Sequence, residues 1–139
     1  MKYGSLILEK KEYVYLKRLL NISGYADHVT IQESLIRLSE ELKNAQIVDE
    51  ENMPHDIIRF NSRVTVSTET GWQRSIQIVI PANRDIKQHK ISVLSPMGSA
   101  LFGYSTDDII EWDLPNGKQK IRIVGVEQHE KSLRLDESI

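Results

Sequence analysis

Two apolar periods divide the chain. In its first part Tyr13, Leu16 and Leu20 follow Glu9 in a four-three-four spacing, with Val14 and Leu19 widening the apolar face. Ile31, Leu35, Leu38, Leu42 and Ala45 then repeat the four-three rhythm without a break. Residues so spaced return to one side of a helix and make the seam of a coiled coil. Thr30-Ile-Gln-Glu33 has the form of a capping box, in which hydroxyl and carboxylate satisfy orphan N–H groups at a helix start. Gly24, between the two runs, can supply the left-handed residue that ends the first helix. The pattern predicts a short antiparallel helical hairpin within residues 1–50, an arm of roughly 25 Å at about 1.5 Å per residue. Two ordinary core helices are the plainer alternative.

From Ser62 onward the period drops to two. Val64 and Val66, Ile76 to Ile80, Ile91 and Val93, Ile110 to Leu114, and Ile121 and Ile123 alternate with polar neighbours. That alternation marks strands with one face on a core and one face wet. Glu69-Thr-Gly71, Pro81-Ala-Asn83 and Pro115-Asn-Gly117 punctuate them, and Asn-Gly is a strong hairpin signal. Ser95-Pro96 breaks one strand ahead of a short small-residue helix over 97–102 that ends at Gly103. Residues 48–61 read as a linker, with Pro54 favouring an extended approach, and the charged stretch from Glu127 as a frayed tail. The predicted fold is α+β: a hairpin over 1–50, then an antiparallel β domain over 51–139 with one short helix.

Charge and composition narrow the function classes. The 139 residues include no cysteine, which excludes disulfides and thiolate zinc sites. Net charge is −2, and residues 1–50 carry seven Lys/Arg against eight Asp/Glu. Neither half is a basic module of the kind that neutralises phosphates, so direct sequence-specific nucleic-acid binding is not expected. The start of the chain turns charged at Glu9 and no long apolar run follows, so no membrane association is expected and a cytoplasmic location is. His28, His55, His89 and His129 have no metal-ligand spacing, and the seven glycines never cluster into a phosphate loop. His55-Asp56 has no accompanying nucleophile and reads as a local cap. No enzyme activity, cofactor, metal or small-molecule substrate is expected.

Three segments carry a resemblance. Leu42 to Asp49 followed by Met53-Pro54 resembles the end of the helical hairpin of the Gre family of bacterial transcript-cleavage factors. Ile91 to Met97, Ala100 to Gly103, Asp107-Asp108 and Leu114 to Gly117 resemble that family's C-terminal domain, whose fold is FKBP-like. Met53-Pro-His-Asp56 with Asn61-Ser-Arg-Val64 is similar to the Rnk branch, which has a shortened coiled coil.

The resemblance implies a protein partner, bacterial RNA polymerase, gripped by the C-terminal domain at the rim of the secondary channel. It implies contact residues at Leu94, Ser95, Pro96 and Met97, where a turn is the equal alternative. Leu94 stands where the family has a polar or acidic residue, leaving an apolar contact there. Leu94, Met97 and Phe102 can form an exposed patch, or Phe102 can be core. In the family, acidic residues at the hairpin tip help hold the magnesium ion that drives RNA cleavage, a task needing paired carboxylates. Here the tip candidates are Tyr25, Asp27 and His28, with Asp27 the lone carboxylate. The implied function is a polymerase-binding elongation regulator that competes with longer-armed factors without cleaving RNA. An interaction module acting on another cytoplasmic protein, such as a nucleotide-metabolism enzyme, is the alternative. Prolyl isomerase activity, which FKBP folds can host, would need Phe60, Trp72, Phe102, Tyr104 and Trp112 to line one pocket; their spacing fits single core or surface positions better.

Overall fold

Ile7, Leu8 and Glu9 are all buried and form a strand, β1 (Ile7–Glu9), which an alternating pattern cannot reveal because neither of its faces is wet. The structure, a computed structural model, describes residues 2–22, 33–114 and 117–128. β1 runs directly into helix α1 (Lys10–Ile22). The Glu9 carboxylate marks the junction, accepting from the Lys11 and Glu12 N–H groups at 3.0 and 3.1 Å. These are two of the four donors that a helix start leaves without a backbone partner. Helix α2 (Glu33–Leu42) leads into β2 (Gln46–Val48), which pairs in parallel with β1, Ile7 opposite Gln46 and Glu9 opposite Val48. Gly24, Thr30 and Ile31 lie outside the described residues, as does the whole connection from α1 to α2.

The second part is a five-stranded sheet. Its strands are β3 (Arg63–Thr68), β4 (Gln73–Val79), β5 (Lys90–Ser92), β6 (Ile109–Leu114) and β7 (Gly117–Glu127), in spatial order β5-β4-β3-β7-β6. The sheet is mixed, which corrects the antiparallel expectation. β4 and β5 run parallel, Gln77 opposite Lys90, because the crossover 80–89 carries the chain back along the sheet edge before β5 begins. Apolar alternation reports which face is buried and says nothing about strand direction. β6 and β7 pair antiparallel out to Leu114 and Gly117, while Pro115 and Asn116 lie outside the described residues.

Helix α3 (Pro96–Leu101) packs against α2, and one hydrophobic core runs through all layers. Leu16, Leu20, Leu35, Leu38 and Leu42 from the two long helices join Val64, Val66, Ile78, Ile121 and Ile123 from the sheet, Leu101 of α3 and Phe102 just after it. Tyr15, Phe60 and Phe102 link α1 to α3 through ring pairs at 5.8 and 4.9 Å. The stretch 48–61 is no free linker: Met53, Ile57, Ile58 and Phe60 are buried. Ile58 and Phe60 join the main core while Met53 and Ile57 form a second buried cluster with Ile7, so no single helical or strand period marks them.

Arg59 ties this stretch to α1. Its guanidinium donates to both Glu12 carboxylate oxygens at 3.0–3.2 Å and to both Glu50 oxygens at 2.7 Å. Burial pushes the Glu12 carboxyl up to about 7, against the opposing pull of Arg59. At the chain start the Lys2 N–H donates to Asp108 at 2.7 Å, while the Lys2 ammonium and Tyr3 hydroxyl meet Asp56. Asp56 therefore fastens the N-terminal segment to the second part, and the His55 carbonyl accepts from the Gln128 side chain. Gln128 also donates to the Ile57 carbonyl, so the start of the expected frayed tail is anchored. Among the described residues no helix is long and apolar enough to cross a membrane.

Candidate functional site

The Ser95-Pro96 break is a helix start, and its chemistry is local. Ser95 has extended backbone, its hydroxyl accepts from the Gly98 N–H at 3.1 Å, and it donates to the Ser92 carbonyl at 2.6 Å. Pro96 occupies the first helical position, where its missing N–H costs nothing and its fixed φ suits the helix. The Ser92 hydroxyl accepts from the Leu94 N–H at 3.0 Å, so the whole approach to α3 is held by serine hydroxyls. Gly98 sits against the Ser92 carbonyl: a Cβ there would lie 2.1 Å from that oxygen. Ser99 donates to the Ser34 hydroxyl at 2.6 Å, and Tyr104 donates to Glu41 at 2.9 Å, which fixes α3 and its exit against α2. Burial raises the Glu41 carboxyl above the usual carboxylate range, with the Tyr104 hydrogen bond pulling the other way. At Gly103 the backbone turns with φ +86, and a Cβ would press on the Leu6 side chain at 3.0 Å.

The four residues singled out from the sequence fall together but differ in exposure. Pro96 is exposed, Leu94, Ser95 and Met97 are half-buried, and Leu94 and Met97 pack against the core. Phe102 is fully buried, so it belongs to the core and not to a surface patch. Met97 opens onto a groove of ≈370 Å³ whose other walls are Thr68, Thr70, Trp72, Arg74, Gln119 and Ile121. Trp72 is 42% exposed, and the Arg74 guanidinium lies over its ring at 5.7 Å. Such cation–π pairs present a flat, amphipathic wall. Trp72 and Arg74 were not readable as a site because the groove is assembled from β3, β4, β7 and α3. A tryptophan placed right after Gly71 at a hairpin tip is the signal that could have found it. Phe60 and Phe102 are buried in the core with Tyr104 packed against it, Trp72 borders the groove, and the side chain of Trp112 lies outside the described residues. The tip candidates Tyr25, Asp27 and His28 also lie outside them.

Because Ser95 both caps α3 and faces the surface, its two roles can be separated by measurement. Ser95→Ala is expected to lose about 1 kcal/mol of stability, the usual worth of an N-cap hydroxyl, in a urea-unfolding comparison. A loss within error of zero would show that the cap contributes nothing.

Comparison with known proteins places this arrangement. A family model described as "Transcription elongation factor, GreA/GreB, C-term" matches residues 53–128. Transcription elongation factor GreA of Clostridium beijerinckii is 36% identical over 125 residues, covering 89% of this chain and 72% of that protein. The Regulator of nucleoside diphosphate kinase of Escherichia coli K12 is 40% identical over 81 residues, covering 58% of this chain and 60% of that protein. Among solved structures, a prokaryotic transcription elongation factor GreA/GreB from Nitrosomonas europaea superposes with a TM-score of 0.71 at 30% identity, covering 89% of this chain and 98% of that one. With its serine-capped α3 inside the matched region, this chain belongs to the GreA/GreB transcription elongation factor family.

Proposed function

We propose that the chain is a transcription regulator that binds bacterial RNA polymerase at the secondary-channel rim and does not stimulate RNA cleavage. The observation that carries this reading is the α3 element: a serine-held helix start, flanked by Leu94 and Pro96, that puts Met97 on the wall of an open groove. Residues 51–139 act as the docking domain and residues 1–50 as the arm. The FKBP-like character of the docking domain is part of the same reading.

Two features argue against cleavage. Lys10 to Leu42 is 33 residues in all, so two helices that share it antiparallel reach roughly 25 Å at about 1.5 Å per residue. Residues 23–32 contain Asp27 as their one carboxylate, where fixing a divalent ion beside substrate phosphates calls for more than one. Occupancy of the rim would then exclude longer-armed factors by mass action.

Purified core polymerase is expected to bind the chain, and Met97→Asp to weaken binding about tenfold, the effect of a charge in an apolar contact. Backtracked complexes given saturating protein are expected to keep their RNA at full length, and addition of the protein is expected to slow cleavage by GreA. RNA shortening at the GreA rate would refute the non-cleaving role, and absence of polymerase binding at micromolar concentration would refute the docking. A second reading, action on nucleoside diphosphate kinase, is favoured by the name of the Escherichia coli relative. Binding to that purified enzyme but not to polymerase would select it.

A further inference from the structure

The crossover from β4 to β5 ends in a second surface feature that α3 does not account for. It contains two 3-10 turns, Pro81–Asn83 and Ile86–Gln88. The second is closed at its base, where Asp85 and Lys90 exchange both backbone hydrogen bonds at 2.9 Å. The Asp85 carboxylate accepts from the Lys87 N–H at 3.1 Å, and His89 leaves the turn in the left-handed region at φ 58. A turn pinned at both ends presents its tip in one orientation. That tip is Ile86, 87% exposed, the most exposed large hydrophobic side chain among the described residues.

A single exposed isoleucine is ordinary. Its neighbours give this one a meaning. Arg84, Lys87 and Lys90 flank it, and none of the three forms an ion pair among the described residues. The one carboxylate of the turn, Asp85, is already engaged by the backbone. An apolar tip flanked by free cations is complementary to an apolar pocket edged with carboxylates. A phosphate backbone would satisfy the cations but has no use for a rigid isoleucine held out between them. Four residues after Lys90 the chain reaches Leu94, so the turn and the α3 element share one edge of the sheet.

We propose that the 84–90 turn is a second contact to RNA polymerase, with Ile86 seated in an apolar pocket of an acidic protein surface and Arg84, Lys87 and Lys90 facing its carboxylates. This rests on the polymerase-docking reading but on different residues. Core polymerase free of nucleic acid is titrated with the wild type, with Ile86→Asp, and with the charge-reversed pair Arg84→Glu/Lys87→Glu. Both loop variants are expected to bind about tenfold more weakly, the charge-reversed pair losing less as salt is raised. Their thermal melting is expected to match the wild type, since the altered side chains are exposed. Binding within twofold of wild type for both loop variants, with Met97→Asp or Trp72→Ala weakened, overturns the second contact and leaves the docking reading standing. Losses that appear only when polymerase carries DNA and RNA overturn it in favour of nucleic-acid contact. A wild type that does not bind polymerase overturns both.

Discussion

Gly98→Ala is expected to lose about 3 kcal/mol of stability, the upper end of the usual cost of overpacking, and roughly 10 °C in Tm. An alanine inside a helix ordinarily gains about 1 kcal/mol over glycine. Here the added methyl would lie 2.1 Å from the Ser92 carbonyl oxygen and 3.0 Å from its carbon, both backbone atoms, so neither can swing aside. The Ser95 hydroxyl is also 3.0 Å from that position, so the clash and the loss of the cap come together. Moving α3 outward would in turn strain the Ser99–Ser34 bond to α2. Gly125→Ala is the control: nothing lies within 4 Å of its Cβ position, and its change is expected to stay within about 0.5 kcal/mol. Urea unfolding of the three proteins decides it. A Gly98→Ala protein as stable as the wild type would mean that α3 is not seated on the Ser92 carbonyl.

The second large effect is pH-dependent. Arg59→Ala leaves the Glu12 carboxylate buried without its partner and is expected to cost about 3–5 kcal/mol at pH 8. The cost depends on whether Glu12 is charged. Its pKa in the folded chain is raised, by burial first, from 4.5 to about 7. A raised folded-state pKa means that this group's stabilising share is complete below about 4.5 and is lost as pH rises through about 7. At pH 5 Glu12 is largely protonated in the folded state and no longer needs a cation, so the Arg59→Ala cost is expected to fall below about half its pH 8 value. Glu12→Gln, which leaves Arg59 paired to Glu50, is expected to remove the corresponding pH slope, at most about 3 kcal/mol across that window. Denaturation at pH 5 and pH 8 reads both variants, and a cost for Arg59→Ala that does not change with pH contradicts the account.

Which parts of this molecule could be read in advance follows from what periodicity encodes. Val64, Val66, Ile76, Ile78, Ile121 and Ile123 alternate with polar residues and are all buried, because a strand with one wet face writes its burial into the sequence. Leu16, Leu20, Leu35, Leu38 and Leu42 do the same for the helices. The strand β1 escapes because it has three residues and its partner β2 is distant in sequence, Ile7 lying opposite Gln46. Met53, Ile57, Ile58 and Phe60 escape because they divide between two buried clusters, with no repeat to betray the set. At the candidate site the Ser95-Pro96 signature was visible, but its meaning as a cap bonded to Gly98 and Ser92 needed coordinates. The Trp72–Arg74 wall of the groove was not visible at all, since three strands and a helix must meet to make it.

The small parallel ladder of β1 and β2 has one further consequence. It joins the residue before α1 to the segment after α2, so the two helices leave and return at one point of the fold. The buried leucines of α1 and α2 are fixed in the core, so only turns added beyond them leave the packing beneath undisturbed. Doubling the length of a closed loop costs only about 0.6 kcal/mol in closure entropy. Reach is therefore an adjustable quantity in this architecture, separable from attachment. Extending the two helices together beyond their core-facing leucines would lengthen the reach and leave the β1–β2 root and the sheet packing as they are.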